Sequence, residues 1–133
     1  MIQQIAVFLE NTEGSVGKCC KVLKDADVNL RALSIADTKE FGILRILTDD
    51  NAKALATLKT AGYLCSTVDL VGVEVPDKSG ALAQLLVCLY EGGVNIEYMY
   101  SFAGANHHAQ IVFKTNTVEK ALEILKKAGA TVL

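Results

Sequence analysis

The sequence predicts an α+β fold made of two tandem βαββαβ units, and three observations carry that expectation. The chain matches itself at a nearly fixed offset, each half runs through the same order of hydrophobic periods, and glycines punctuate both halves at corresponding points. Placing Gly14 on Gly80 puts Val7 on Val73, Leu23 on Leu89, Val28 on Val94 and Asn29 on Asn95. One extra residue in the second half then resets the register. After it, Lys53, Ala54, Leu55, Leu58, Lys59, Ala61 and Gly62 fall on Lys120, Ala121, Leu122, Leu125, Lys126, Ala128 and Gly129. Matches gathered at the same structural points indicate duplication, with domains expected at residues 1–69 and 70–133.

Each element follows from its local pattern. Ile5, Val7 and Leu9 alternate as in a half-buried strand. A polar stretch ends at Gly14, and Val16, Cys19, Cys20 and Leu23 then recur at the spacing of one helix face, where the second copy has Leu82, Leu85, Leu86 and Leu89. Cysteines in leucine columns read as small core hydrophobes. The first helix stops at Asp27, or at Gly92 and Gly93, where glycine suits a left-handed cap. Two strands follow in each copy. In the second, Val94, Ile96, Tyr98, Tyr100 and Phe102 alternate, a turn covers Gly104 to His107, and Ala109, Ile111 and Phe113 continue; the first copy turns around Thr38 to Gly42. A second helix starts near Asn51 in copy one and after Thr117 in copy two, and ends at Gly62 and Gly129. A last strand closes each copy, very short in the second (Ala130 to Leu133).

β-α-β-β-α-β is the ferredoxin-like order, with both helices on one face of an antiparallel sheet. A copy this small is marginal alone, so the copies are expected to pack together. The strand after each first helix is an open edge that needs covering. Pairing that edge of copy one with that of copy two gives one eight-stranded sheet.

Bulk properties narrow the function. The hydrophobic fraction of 51% and charged fraction of 21% exclude disorder, and a net charge of −2 with only Arg31 and Arg45 as arginines leaves no basic footprint for nucleic acid. The N-terminus lacks the basic start of a secretory signal, and the longest mostly apolar run, Ala81 to Tyr90, is too short to span a bilayer. A cytoplasmic protein with no membrane contact is expected. The four cysteines, Cys19, Cys20, Cys65 and Cys88, show no C-x-x-C spacing and are expected to be free thiols.

Two elements in each copy offer binding chemistry. The first is the loop between the opening strand and helix, Val75-Pro76-Asp77-Lys78-Ser79-Gly80-Ala81-Leu82 in copy two. Glycine allows close backbone approach, and the helix start presents N–H groups and a positive dipole end to a carboxylate. The same stretch also makes a plain turn with a helix cap. The second element is Gly93-Val94-Asn95-Ile96, matched by Asp27-Val28-Asn29-Leu30. Asparagine is a poor strand former, yet it opens the same strand twice. Its amide donates to a carboxylate and accepts from an ammonium, or simply closes the turn.

The run P-D-K-S-G-A-L-A, an apolar helix, and then G-G-V-N-I resembles the signature of the ACT domain, a module that commonly binds amino acids. Copy two matches from Val71 to Leu133, and copy one more loosely from Ile5 to Val68, with Asn11 and Glu13 in place of Asp77 and Ser79 and no proline. The resemblance implies units paired side by side, with a ligand at the seam where one unit's loop meets the strand start of the other. By position, the implied ligand-binding residues are Asn11, Glu13, Gly14, Ser15, Val16, Asn29 and Leu30 in copy one. In copy two they are Asp77, Ser79, Gly80, Ala81, Leu82, Asn95 and Ile96. A small L-amino acid bound this way falls at roughly 1 μM to 1 mM, or about −8 to −4 kcal/mol.

Other features read more plainly. His107 and His108 are expected in the hairpin turn or its first strand residues, and since neighbours on a strand point to opposite faces, a shared metal is not expected. Tyr90, Tyr98 and Tyr100 suit a core or seam, with a pocket lining as the alternative for Tyr98 and Tyr100, and Glu97, on the strand face of Asn95, suits selection of a cationic ligand side chain. No nucleophile-base pair, phosphate-binding loop or dinucleotide fingerprint occurs. The expectation is therefore a non-enzymatic amino-acid sensor, a homodimer without cofactor or metal, acting in trans on a metabolic enzyme. The alternative is a structural interaction module that binds no ligand.

Overall fold

Two compact units make up the chain, one of residues Gln3–Val68, the other of Asp69–Leu133 with Met1–Ile2. The computed structural model describes every residue except 38–39 and 103–105. In the first unit the alternating residues of β1 (Ile2–Glu10) bury Ile5, Val7 and Leu9 on one face. Helix α1 (Ser15–Asp25) covers that face with Cys19 and Leu23. β2 (Leu30–Asp37) and β3 (Phe41–Thr48) follow, with Leu44 opposite Val7 and Ile46 opposite Ile5, so both face the helices. Helix α2 (Asn51–Thr60) adds Ala54 and Leu58 to the same core. The side chain of Asp50 caps α2 by accepting from the N–H of Lys53 at 3.1 Å. The strand order, β2-β3-β1-β4, is ferredoxin-like, β4 being Leu64–Pro76.

The second unit repeats the plan. β4 carries Val71, Val73 and Val75 into a core completed by Leu85 and Leu89 of α3 (Ala81–Glu91), by Ile111 and Phe113 of β6 (His108–Lys114), and by Ala121 and Leu125 of α4 (Val118–Lys127). β5 (Tyr98–Phe102) pairs with β6, β6 with β4, and the short β7 (Thr131–Val132) with β4. All these ladders are antiparallel. Equivalent positions behave alike: Leu23 and Leu89 are both fully buried, as are Ala54 and Ala121, and Leu58 and Leu125. The turns repeat too. The N–H of Val28 donates to Leu23 O as that of Val94 does to Leu89 O, and Tyr63 N–H to Leu58 O as Ala130 N–H to Leu125 O.

The expected α+β class and its two ferredoxin-like units are present, and several finer expectations are corrected. There are seven strands among the described residues rather than eight. The last strand of copy one and the first of copy two are a single strand, β4, and Cys65-Ser66-Thr67-Val68-Asp69-Leu70 contains no glycine or proline to interrupt it. Pairing between β2 and β5 is not among the described ladders: β2 bonds to β3 and β5 to β6, so each unit keeps its strand after the first helix as an edge. Asn95 and Ile96 lie before β5 rather than inside it, and Asn29 sits one residue before β2. The strand phase changes there. Met99, opposite Phe113, faces the core, whereas Tyr98, Tyr100 and Phe102 lie on the other side of the sheet. For the same reason Glu97 and Asn95 share no strand face. Thr117 occupies the cap position of α4, yet its hydroxyl lies 3.2 Å from that of Thr115 and makes no capping bond. The turns expected at Thr38 to Gly42 and Gly104 to His107 fall partly outside the described residues.

Candidate functional site

Both opening loops are built the same way. Gly14 and Gly80 precede α1 and α3 with φ of 82° and 84°, in the left-handed region. A side chain is strained in that conformation, which explains glycine at this point in each copy. Neither helix has a side-chain cap. In the first turn, Ser15 N–H donates to Thr12 O and Lys18 N–H to Gly14 O; the equivalents are Ala81 N–H to Lys78 O and Gln84 N–H to Gly80 O. The N–H groups of Val16 and Gly17, and of Leu82 and Ala83, have no acceptor among the described residues. Two bare donors at a positive dipole end suit one carboxylate. Gly80 stands in open space, since a Cβ built there meets no atom within 4 Å.

The remaining loop groups fix its shape or stay exposed. Asn11 N–H donates to Glu40 O at 3.0 Å, tying the first loop to the chain before β3. The hydroxyls of Thr12 and Ser15 lie 2.7 Å apart. In the second loop Asp77 N–H donates to His107 O at 2.7 Å. Glu13, Asp77 and Ser79 are exposed, and Val16 and Leu82 are half-buried against their cores.

The asparagines are held at the other end of each first helix. The N–H of Asn29 donates to Asp49 Oδ1 at 3.0 Å, and the N–H of Asp49 donates back to Asn29 O at 3.1 Å. This reciprocal pair fixes the backbone of Asn29 and leaves its exposed amide to face outward. Asp27, two residues earlier, has φ 59°, where copy two places Gly93 at φ 78°. Asn29 and Leu30 line a cavity of about 400 Å³ with Cys20, Lys24, Asp27, Val28 and Asp49. Asp49 was not among the sequence candidates. Its role depends on a contact across 20 residues, and the linear pattern carries no signal for it beyond its place after a repeated strand.

A second cavity, of about 820 Å³, lies beside the second loop. Lys78, Ala81 and Gln84 line it with Pro76, His108 and the turn at Gly129. His108 Nδ1 lies 2.9 Å from Asn106 O and 3.7 Å from Glu74 Oε1. His108 thus belongs to the hairpin and the rim of this groove. No group of three or more His, Cys, Asp or Glu residues suited to a metal occurs among the described residues.

Within one copy the loop and the asparagine are not brought together. They stand at opposite ends of an 11-residue helix, which at 1.5 Å per residue is about 16 Å. The backbone amides and the amide side chain of one copy therefore cannot grip the same small molecule. Burial separately pushes the Cys19 thiol up to about 11, with Cys20 and Cys65 adding to the effect. That suits a packing role and not a reactive thiol.

The family model described as an ACT domain pair matches residues 1–131. No curated protein matches the chain. Among solved structures, protein BT0572 from Bacteroides thetaiotaomicron is similar with 39% identity and a TM-score of 0.91, over 99% of this chain and 91% of that one. The ligand-free regulatory subunit of aspartate kinase from Thermus thermophilus shares the fold, with 15% identity and a TM-score of 0.68 over 95% of this chain and 91% of that one. The corresponding subunit from Thermus flavus gives 17% identity and a TM-score of 0.64 over the same shares. No helix among the described residues is long and apolar enough to cross a membrane. With the repeated units, their repeated loops and a match over nearly the whole length, the chain belongs to the ACT domain pair family.

Proposed function

We propose that this protein is a regulatory sensor that binds a small L-amino acid and has no catalytic activity of its own. Residues 1–69 and 70–133 act as its two ACT domains. The observation that supports the reading is the position of the two candidate elements of each copy at opposite ends of its first helix. Bare amides at a left-handed glycine lie at one end of the first helix, and an outward asparagine lies about 16 Å away at the other. A zwitterion needs both, so a complete site takes its loop from one unit and its asparagine from another unit. A homodimer supplies that arrangement.

In such a seam the ligand carboxylate takes the N–H groups of Leu82 and Ala83, or of Val16 and Gly17. The ammonium meets the Asn29 or Asn95 side-chain oxygen, with Asp77 or Glu13 adding charge. Asn11, Ser15, Ser79 and Ala81 shape the loops, while Leu30 and Ile96 flank the ligand's apolar part. Binding favours the paired arrangement over the unpaired one and so shifts their populations. A metabolic enzyme in the cytoplasm, regulated in trans, reads that shift. The fold shared with aspartate kinase regulatory subunits supports the regulatory part of this reading.

The test is a calorimetric titration of the protein with amino acids, repeated on Asn95→Ala and Asn29→Ala. The reading expects Kd between roughly 1 μM and 1 mM and a loss of at least tenfold in one variant or both. Unchanged affinity in both would remove the asparagines from the site. Recovery of one enzyme with the tagged protein, but no amino-acid binding, would replace the sensor with an interaction module.

A further inference from the structure

The two units end their second helix in the same turn but follow it with different side chains. Tyr63 N–H donates to Leu58 O as Ala130 N–H donates to Leu125 O, so Tyr63 and Ala130 hold equivalent places, just before β4 and β7. In the first unit the half-buried Tyr63 packs on the core that contains Cys19. Burial pushes its hydroxyl up, and the thiols of Cys19 and Cys20 add to the effect, so the phenol stands beside that stretch of α1. In the second unit Leu85 takes the column of Cys19, and Ala130 brings only a methyl group where the first unit has a ring.

The space beside Ala130 is open. The cavity of about 820 Å³ has Val75, Ala81, Leu85 and Ala130 in its lining, all within the second unit. Small-molecule pockets measure about 300–1,000 Å³ and join an apolar wall to a few polar groups. Here the polar groups include Lys78, Gln84 and His108. His108 Nδ1 faces Glu74 Oε1 at 3.7 Å, and Asp77 is not part of the lining. The Lys78 ammonium is thus the charge in the lining that suits an acid group.

We propose that this groove is a second ligand site, for a small aromatic acid whose ring takes the place that Tyr63 fills in the first unit. The ring lies along Leu85 and Ala81 beside the Ala130 methyl, and the carboxylate meets Lys78 Nζ. An aromatic occupant fits because the same fold already holds a phenol ring at the equivalent turn. Neither Asn29 nor Asn95 lines the groove, so this site is separate from the one proposed for the amino acid.

The test is a calorimetric titration with 4-hydroxyphenylacetate, and with tyramine, which carries an ammonium in place of the carboxylate. The acid is expected to bind with Kd between about 10 μM and 1 mM, and tyramine at least tenfold more weakly. Ala130→Tyr supplies the ring from the chain itself and should abolish binding of the acid while melting no lower than wild type, as cavity-filling replacements commonly do. Leu85→Cys with Ala130→Tyr copies the first unit's pair and should abolish it too, which keeps the test intact if the single variant fails to fold. Lys78→Gln should weaken the acid at least fivefold, and Asn29→Ala with Asn95→Ala should leave it unchanged. No binding by wild type overturns the proposal, as does binding retained by a folded protein with tyrosine at position 130. Loss in the asparagine variant overturns it as well, by placing the acid in the amino-acid seam, and equal binding of tyramine overturns the contact with Lys78.

Discussion

Replacing Gly80 by alanine separates backbone strain from steric cost. Gly80 has φ 84° and ψ −12°, and a Cβ there meets nothing within 4 Å. The only penalty is the left-handed conformation itself, about 1–2 kcal/mol for a residue with a Cβ. Unfolding entropy is about 2.1 cal/mol/K per residue, which over 133 residues is about 0.28 kcal/mol/K. The melting temperature of Gly80→Ala should therefore fall by ~4–7 °C in circular-dichroism melts. Gly80→Asn should lose less, because asparagine visits this region more readily. Gly14→Ala should behave like Gly80→Ala, since its Cβ meets only Lys18 Cε at 3.9 Å. Gly72 is the contrasting case. Its Cβ would lie 2.7 Å from Ile2 Cγ1 and 3.2 Å from Leu133 Cβ, so its cost is packing strain of about 1–3 kcal/mol. A melt of Gly80→Ala within about 1 °C of wild type, or an asparagine variant as damaged as the alanine one, would refute the strain argument.

Other expectations follow from single contacts. Asp50→Ala removes the cap on Lys53 N–H and should cost about 1 kcal/mol in urea unfolding, with an unchanged slope. Leu89→Ala empties a fully buried position and should cost about 3–4 kcal/mol by the same measurement. Asn95→Ala alters an exposed side chain and should change stability by less than about 0.5 kcal/mol, so that lost binding there reports on the ligand and not on folding. Cys19 has its thiol pushed up from 9.0 to about 11, so folding favours the neutral form. That contribution is complete below pH 9 and declines as the pH rises from 9 to about 11. Cys19→Ala should flatten stability against pH over that window, measured by denaturant titration at several pH values.

Much of the fold was legible because duplication let each copy annotate the other. Leucines at 85 and 89 identified Cys19 and Leu23 as core, and Val73 vouched for Val7. The strand count was missed because β4 passes from one copy to the next, and a repeat comparison cuts the chain there by construction. The phase of β5 was missed because Val94 and Ile96 alternate in sequence although residues 94–97 are not strand. Met99 then takes the inward position. The left-handed turn at Gly14 and Gly80 was readable from glycine at a helix start, a local signal. The anchoring of Asn29 by Asp49 was not, since it depends on how β3 returns beside β2. Tyr90, expected in a core or seam, is instead 79% exposed on α3, because it falls outside the helix column of Leu82, Leu85 and Leu89.

The central claim is that this ACT pair holds a free amino acid, and a thermal-shift series against the twenty amino acids at millimolar concentration tests it most directly. At about 100 times its dissociation constant a ligand adds roughly 2.7 kcal/mol, or ~10 °C for a chain of this length. The account predicts a rise with one or two amino acids that Asn29→Ala with Asn95→Ala abolishes. A response that survives the double replacement, or twenty flat melts confirmed by calorimetry, would contradict it.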